Sequence, residues 1–140
     1  MKTRIYLYHL TRVIFGALLV LYGTYNVIRY SEFLERLDIY FGNVTVFNIG
    51  FIEALAPLVP FEEFLIGLFL VLGVFTRKTL IVTSILFAFF TLFLWDANSS
   101  YRAGAHLISF LITIVLIIGN TYDRNTIRYH KDSYQIIHKI

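Results

Sequence analysis

PFEEFLIGLFLVLGVFTR, the stretch from Pro60 to Arg77, decides the class of this chain. From Phe64 to Phe75 it is apolar apart from glycine. As a helix that run is only about 18 Å long, at ~1.5 Å per residue. The hydrocarbon core of a bilayer is roughly 30 Å thick and takes about 20 residues to cross. A spanning helix must therefore start near Glu53 or Ala54, with Pro60, Glu62 and Glu63 inside it. A carboxylate at membrane depth is costly, and it faces the bundle interior or water rather than lipid. Glu62 and Glu63 are thus the first candidates for a functional site. The alternative reading starts the helix at Pro60, which suits a first turn, and leaves both acids at headgroup level.

Working outward, the rest of the chain has the same character. Its 140 residues are 58% hydrophobic, 18% aromatic and 15% charged, with a mean hydropathy of +0.71. Soluble domains carry about 25% charged residues, so a polytopic membrane protein of one domain (1–140) is expected. The absence of cysteine excludes disulfides, thiolate catalysis and cysteine-ligated metal or iron–sulfur sites within this chain. The basic, then apolar, start has no small-x-small cleavage site and is read as a retained first helix.

Four apolar segments predict helices over about 8–29, 54–76, 79–95 and 103–120. Thr76-Arg77-Lys78 and the stretch from Asp96 to Tyr101 are hairpin links, so the last three helices run antiparallel to their neighbours. Residues 31–53 are too long for a turn. Ser31 is a suitable N-cap, and Phe33, Leu34 and Leu37 repeat at helical spacing opposite Glu32, Glu35, Arg36 and Asp38. They predict a short amphipathic helix on the membrane surface, within an ordered cap. The fold class expected is an all-α integral membrane bundle of four antiparallel spans, with an extracytoplasmic amphipathic segment between the first two.

An even number of spans puts both ends of the chain on one side. That side holds Lys2, Arg4, Arg12, Arg77, Lys78, Arg124, Arg128, Lys131 and Lys139, whereas Arg29, Arg36 and Arg102 lie on the other. The positive-inside rule makes the nine-residue side cytoplasmic, including the polar tail 121–140. Seven of the nine acids fall on the opposite side, an asymmetry that insertion does not explain.

The same antiparallel order gathers polar residues at the outer helix ends. Asn26 and Arg29 come from the first helix, Glu62 and Glu63 from the second, Asp96 from the third, and Arg102 and His106 from the fourth. His106, Ser109 and Thr113 form one polar stripe, and Thr83, Phe87 and Thr91 a weaker one. Glu63 shares a face with Gly67, whose lack of a side chain lets another helix approach. Glu63 is therefore read as the inward carboxylate and Glu62 as the peripheral one. The competing reading makes Arg29, Asp96 and Arg102 interfacial charges and His106 a structural histidine. Gly16 and Gly23, two turns apart, are read as packing positions. No residue is assigned as catalytic. A dinuclear metal site would need Glu-x-x-His motifs repeated across helices, and the chain has none.

Pro60, Glu63 and Gly67, then Gly73, Thr76 and Arg77, make a pattern that resembles the second helix of the DoxX/MauE superfamily of small four-helix membrane proteins. Arg12, Gly16, Gly23 and Asn26 resemble that family's first-helix pattern, with Asn26 where a lysine is usual. Gly119-Asn120-Thr121-Tyr122-Asp123 resembles its closing segment imperfectly. The resemblance implies a four-helix bundle linked to redox chemistry, since members include a subunit of thiosulfate:quinone oxidoreductase and a factor that matures methylamine dehydrogenase. Without cysteine, this chain cannot run a thiol relay. A redox role would then mean binding the quinone or supporting a catalytic partner.

The function expected is a redox-associated subunit of a bacterial inner membrane. It would hold a small ligand, such as a quinone headgroup, in a pocket on the extracytoplasmic half. Glu63 would take a proton or hydrogen bond, His106 would be a second such group, and Arg29 or Arg102 would counter the carboxylate. No cofactor is expected in the chain itself beyond such a quinone. Its partners would be the bilayer and proteins of a membrane complex, not nucleic acid. The alternative is a non-catalytic structural or assembly subunit. A small transporter or channel is a third option, with no inverted repeat to support it.

Overall fold

The computed structural model describes residues 2–120. The tail, with the last three residues of the closing-segment match, lies outside them. The described chain is entirely helical where it is regular. Its elements are α1 (Lys2–Ile28), α2 (Tyr30–Asn43), α3 (Gly50–Leu55), a 3-10 turn (Ala56–Leu58), α4 (Val59–Leu72), α5 (Thr76–Asp96) and α6 (Ser100–Gly119). Four segments are long and apolar enough to cross a bilayer: Lys2–Ile28, Gly50–Leu72, Thr76–Asp96 and Ser100–Gly119. The molecule is an all-α bundle of four long hydrophobic spans.

Several boundaries differ from expectation for local reasons. α1 runs to Lys2, since charged residues do not stop a helix that has no breaker. Arg29, at φ −101° and ψ 46°, separates α1 from α2 and occupies the N-cap, so Ser31 lies inside α2. The second span is interrupted. Pro57 and Pro60 each lack an amide N–H and crowd the preceding turn, and α3 passes through the 3-10 turn before α4 resumes. Pro60 thus sits in the first turn of α4, while Glu62 and Glu63 remain inside the span.

α4 ends at Leu72, four residues before the expected end. Gly73 adopts φ +70°, and the N–H groups of Gly73 and Val74 both donate to the Phe69 carbonyl. This is the left-handed helix ending that glycine permits. The link is therefore Gly73 to Phe75, and Thr76, Arg77 and Lys78 open α5 instead of forming the turn. α5 and α6 are likewise longer than expected, because only Ala97, Asn98 and Ser99 separate them. Asn98, at φ +57°, makes that turn.

The four spans form two tight pairs, α1 with α4 and α5 with α6, that touch each other more sparsely. Glycine sets the first pair. A Cβ on Gly67 would stand 2.6 Å from the Gly16 carbonyl oxygen and 2.7 Å from the Val20 nitrogen. One on Gly23 would stand 2.8 Å from both the Pro60 oxygen and the Phe64 nitrogen. The two backbones are in direct contact over two turns, as small residues allow in membranes. Gly67 does admit a close neighbour, and that neighbour is α1.

Near the chain ends the two pairs close on a core of Tyr8, Phe15, Leu19, Leu70, Leu80, Phe87 and Leu116. At the opposite end Val44, Phe93, Leu94, Ala97 and Ala103 form a second cluster beneath Tyr40, Phe41 and Phe47. Ring pairs tie the 31–53 stretch to α5, with Phe41 5.2 Å from Phe93 and Phe47 5.4 Å from Phe89. α2 therefore turns part of its apolar face to the bundle. Between the two cores the pairs part.

Candidate functional site

The gap between the pairs is a cavity of about 320 Å³ at the α2 end of the bundle. This is near the lower limit of small-molecule sites, roughly 300–1,000 Å³. Its walls are mostly aromatic and aliphatic: Phe33, Leu37 and Tyr40 from α2, Phe51 and Ile52 from α3, and Phe89, Phe90 and Phe93 from α5. Besides Tyr22 and Tyr40, five ionisable side chains line it. These are Arg36 of α2, Glu62 and Glu63 of α4, and Arg102 and His106 of α6.

Glu63 is where the sequence puts it, inside the bundle, with 4% of its surface exposed. Its Oε2 is buried without a hydrogen-bond partner. Among the described residues no polar group of another helix hydrogen-bonds this oxygen. α6 pairs with α5, so His106 meets Glu63 across the cavity rather than along a helix interface. Glu62 is half-buried on the same wall.

His106 is held in place by its own helix and by aromatic neighbours. Its Nδ1 lies 2.9 Å from the Arg102 carbonyl. A carbonyl accepts only, so Nδ1 carries the proton and Nε2 remains as the ring's other hydrogen-bonding atom. The ring packs on Phe87 and Phe90, with centroids 5.7 Å and 5.8 Å away.

Asn26 is buried to 1% exposure and joins the site indirectly. Its Oδ1 accepts from Arg36 Nη2 at 2.6 Å, and its Nδ2 has no partner. The guanidinium only donates, which fixes the orientation of the amide. Arg36 was not among the expected site residues. It reads as one more charge on the polar face of α2, and no local pattern marks it. The turn at Arg29 swings α2 over the cavity and brings Arg36 in.

Two expected site residues are elsewhere. Arg29 is exposed, pairs with Glu32 at 3.3 Å and lies 5.4 Å over the Tyr25 ring. It does not counter Glu63. Asp96 is a structural anchor. Its Oδ2 accepts from the N–H groups of Thr45, Val46 and Phe47 at 3.0, 2.8 and 3.1 Å, and its Oδ1 from the Thr45 hydroxyl at 2.8 Å. The carboxylate ties the loop after α2 to the end of α5. Tyr30 pins the other end of α2 by donating to the Pro57 carbonyl at 2.9 Å. Asp96→Ala is expected to free that loop and raise amide exchange at Thr45, Val46 and Phe47 by about tenfold or more. Unchanged exchange at these three amides would show that the carboxylate is not the anchor.

The two hydroxyl stripes do not extend the site. Thr83, Thr91, Ser109 and Thr113 each donate to a carbonyl three or four residues earlier on their own helix. Such back-bonding satisfies a buried hydroxyl without a partner helix. Among the described residues, no group of three or more His, Asp or Glu is placed to hold a metal. No protein-family model, curated protein or solved structure matches the chain.

Proposed function

We propose that this chain is a redox-associated membrane subunit that holds a quinone headgroup, or a ring of similar size, in the cavity beside Glu63. The observation that carries this reading is a buried carboxyl oxygen with no protein partner, on the wall of an aromatic cavity. A buried polar group left unpaired costs about 1–3 kcal/mol, so a ligand that pairs with it gains that much. The polar groups suit a quinone: guanidinium groups can donate to ring oxygens, the free Nε2 of His106 can accept from a quinol hydroxyl, and the phenylalanines offer faces to the ring. A bound quinone would supply two-electron, two-proton redox chemistry. Glu63 and His106 are the groups that would hold or pass protons, and Arg36 and Arg102 would orient the head.

The resemblance to the DoxX/MauE superfamily supports the redox part of this reading. The nine-to-three division of basic residues supports an inner-membrane protein with both ends cytoplasmic. A periplasm-dependent reporter fused to the C-terminus is accordingly expected to be inactive. For the function itself, the protein is purified in mild detergent and its lipid extract and copurifying chains are identified. Quinone in near-stoichiometric amount, lost when Phe90→Trp fills the cavity, is the expected result. A stoichiometric complex with non-redox partners and no quinone would overturn it in favour of an assembly role.

A further inference from the structure

Two guanidinium groups on the cavity wall have no carboxylate partner. Arg36 comes from α2 and Arg102 from α6. The one side-chain hydrogen bond of Arg36 goes to the neutral Asn26 amide, and its Cζ lies 5.9 Å from the centroid of the Phe33 ring. Arg102 has no side-chain hydrogen bond or ion pair with any described residue. The acids on the same wall, Glu62 and Glu63, come within ion-pair distance of neither. The ion pair formed near this end, Arg29 with Glu32, involves neither cavity arginine.

An arginine keeps its charge at every relevant pH and offers donors only. Withdrawing that charge into a half-buried, mostly aromatic space is costly without a counter-ion. Here two such charges from different elements face one cavity. The charged and titratable groups around them are Glu62 and Glu63 from α4, His106 from α6, Tyr40 from α2 and Tyr22 from α1, with none from α5. An anionic group on a bound ligand would supply the missing counter-charge.

We propose that the cavity selects an amphiphile with an acidic oxygen head, bound by Arg36 and Arg102, and a flat apolar body against Phe89, Phe90 and Phe93. This rests on the ring-ligand reading and narrows it to acidic ring compounds. Guanidinium binds such oxygens through paired, charge-assisted hydrogen bonds. A bound head would also link α2 to α6, closing the strap across the cavity.

The test compares two probes with one body. One is an alkyl hydroxynaphthoquinone, whose ring hydroxyl is ionised at neutral pH. The other is its methyl ether, which keeps both carbonyls and carries no charge. Binding is followed by isothermal titration in detergent at low, fixed salt, because exposed charge is screened. The acid is expected to bind about tenfold more tightly or better. Arg102→Gln removes no protein partner, and it is expected to bring the two probes within about twofold of each other. Arg36→Gln is expected to act in the same direction, and Arg36→Lys to keep part of the preference. Equal or tighter binding of the ether by the parent protein overturns the proposal and leaves the ring-ligand reading standing. Binding of neither probe overturns both. A preference that survives the double change Arg36→Gln, Arg102→Gln also overturns it, because the anion is then held elsewhere. The parent comparison decides the matter even if a variant fails to fold.

Discussion

Gly67→Leu is expected to yield no folded protein. Its Cβ alone would stand 2.6 Å from the Gly16 carbonyl oxygen, 2.7 Å from the Val20 nitrogen and 2.9 Å from the Leu19 Cβ. Two of those three atoms are backbone, so no side chain can turn away to make room. α1 and α4 would have to separate along their shared length, and dispersion contacts weaken steeply over even a fraction of an ångström. Overpacking with movable neighbours costs about 1–3 kcal/mol. A rigid obstacle costs more, against a total stability of about 5–15 kcal/mol. Gly67→Ala should leave a folded protein with a clearly lowered melting temperature. Gly104 supplies the control. It lies within α6, a Cβ there meets nothing within 4 Å, and alanine should stabilise the helix by about 0.5–1 kcal/mol. Thermal unfolding in detergent measures all three. A parent-like melting temperature for Gly67→Leu would mean that the two helices are not in backbone contact.

Glu63→Leu is expected to make the protein more stable and useless. The carboxyl oxygen Oε2 has no hydrogen bond to lose. Replacing an unpaired buried polar group by an apolar one of similar size removes its desolvation cost, about 1–3 kcal/mol. Ligand retention should fall by about tenfold or more if that oxygen is a contact of the ligand. A residue kept at a cost to stability is the usual mark of a functional site. Glu63→Gln separates shape from protonation. It should fold as the parent does and stop any proton-coupled turnover of the assembled complex, because the amide cannot exchange a proton at working pH. A structural pin behaves in the opposite way, with Glu63→Leu destabilising and Glu63→Gln tolerated. Paired melting and quinone-retention measurements on the two variants distinguish the cases.

Fold class and the buried acid were both legible in the linear chain, and for the same reason. Hydropathy over 20 residues is a property of consecutive side chains, and a bilayer reads it one segment at a time. The position of Glu63 follows from span length, since an apolar run too short to cross must borrow residues that include it. Gly16, Gly23 and Gly67 also announce themselves, because glycine in a membrane helix has little use except close approach. Helix ends were less legible. Gly73 could have been packing or punctuation, and its left-handed backbone shows it to be punctuation.

The neighbours of Glu63 were not legible, and they decide what the site can do. Antiparallel order alone allows α4 to lie against α6. Which pairs close depends on where small residues come opposite one another, and Gly67 meets Gly16 while Gly23 meets Pro60 and Phe64. That match places α1 against α4 at Gly67 and leaves a cavity between Glu63 and α6. The arginines were sorted in the same way. Arg29, Arg36 and Arg102 look alike as charges near helix ends, yet the backbone turn at Arg29 points Arg29 outward and carries Arg36 over the cavity. Asp96 left the cluster because three amides of the loop after α2 reach it first. By itself, then, the sequence determined four long apolar helices, a carboxylate turned into the bundle and a close glycine contact, since each depends on local composition and length. Tertiary structure alone decided the helix partners, the cavity and its two arginines, because these depend on how surfaces distant in the chain fit together.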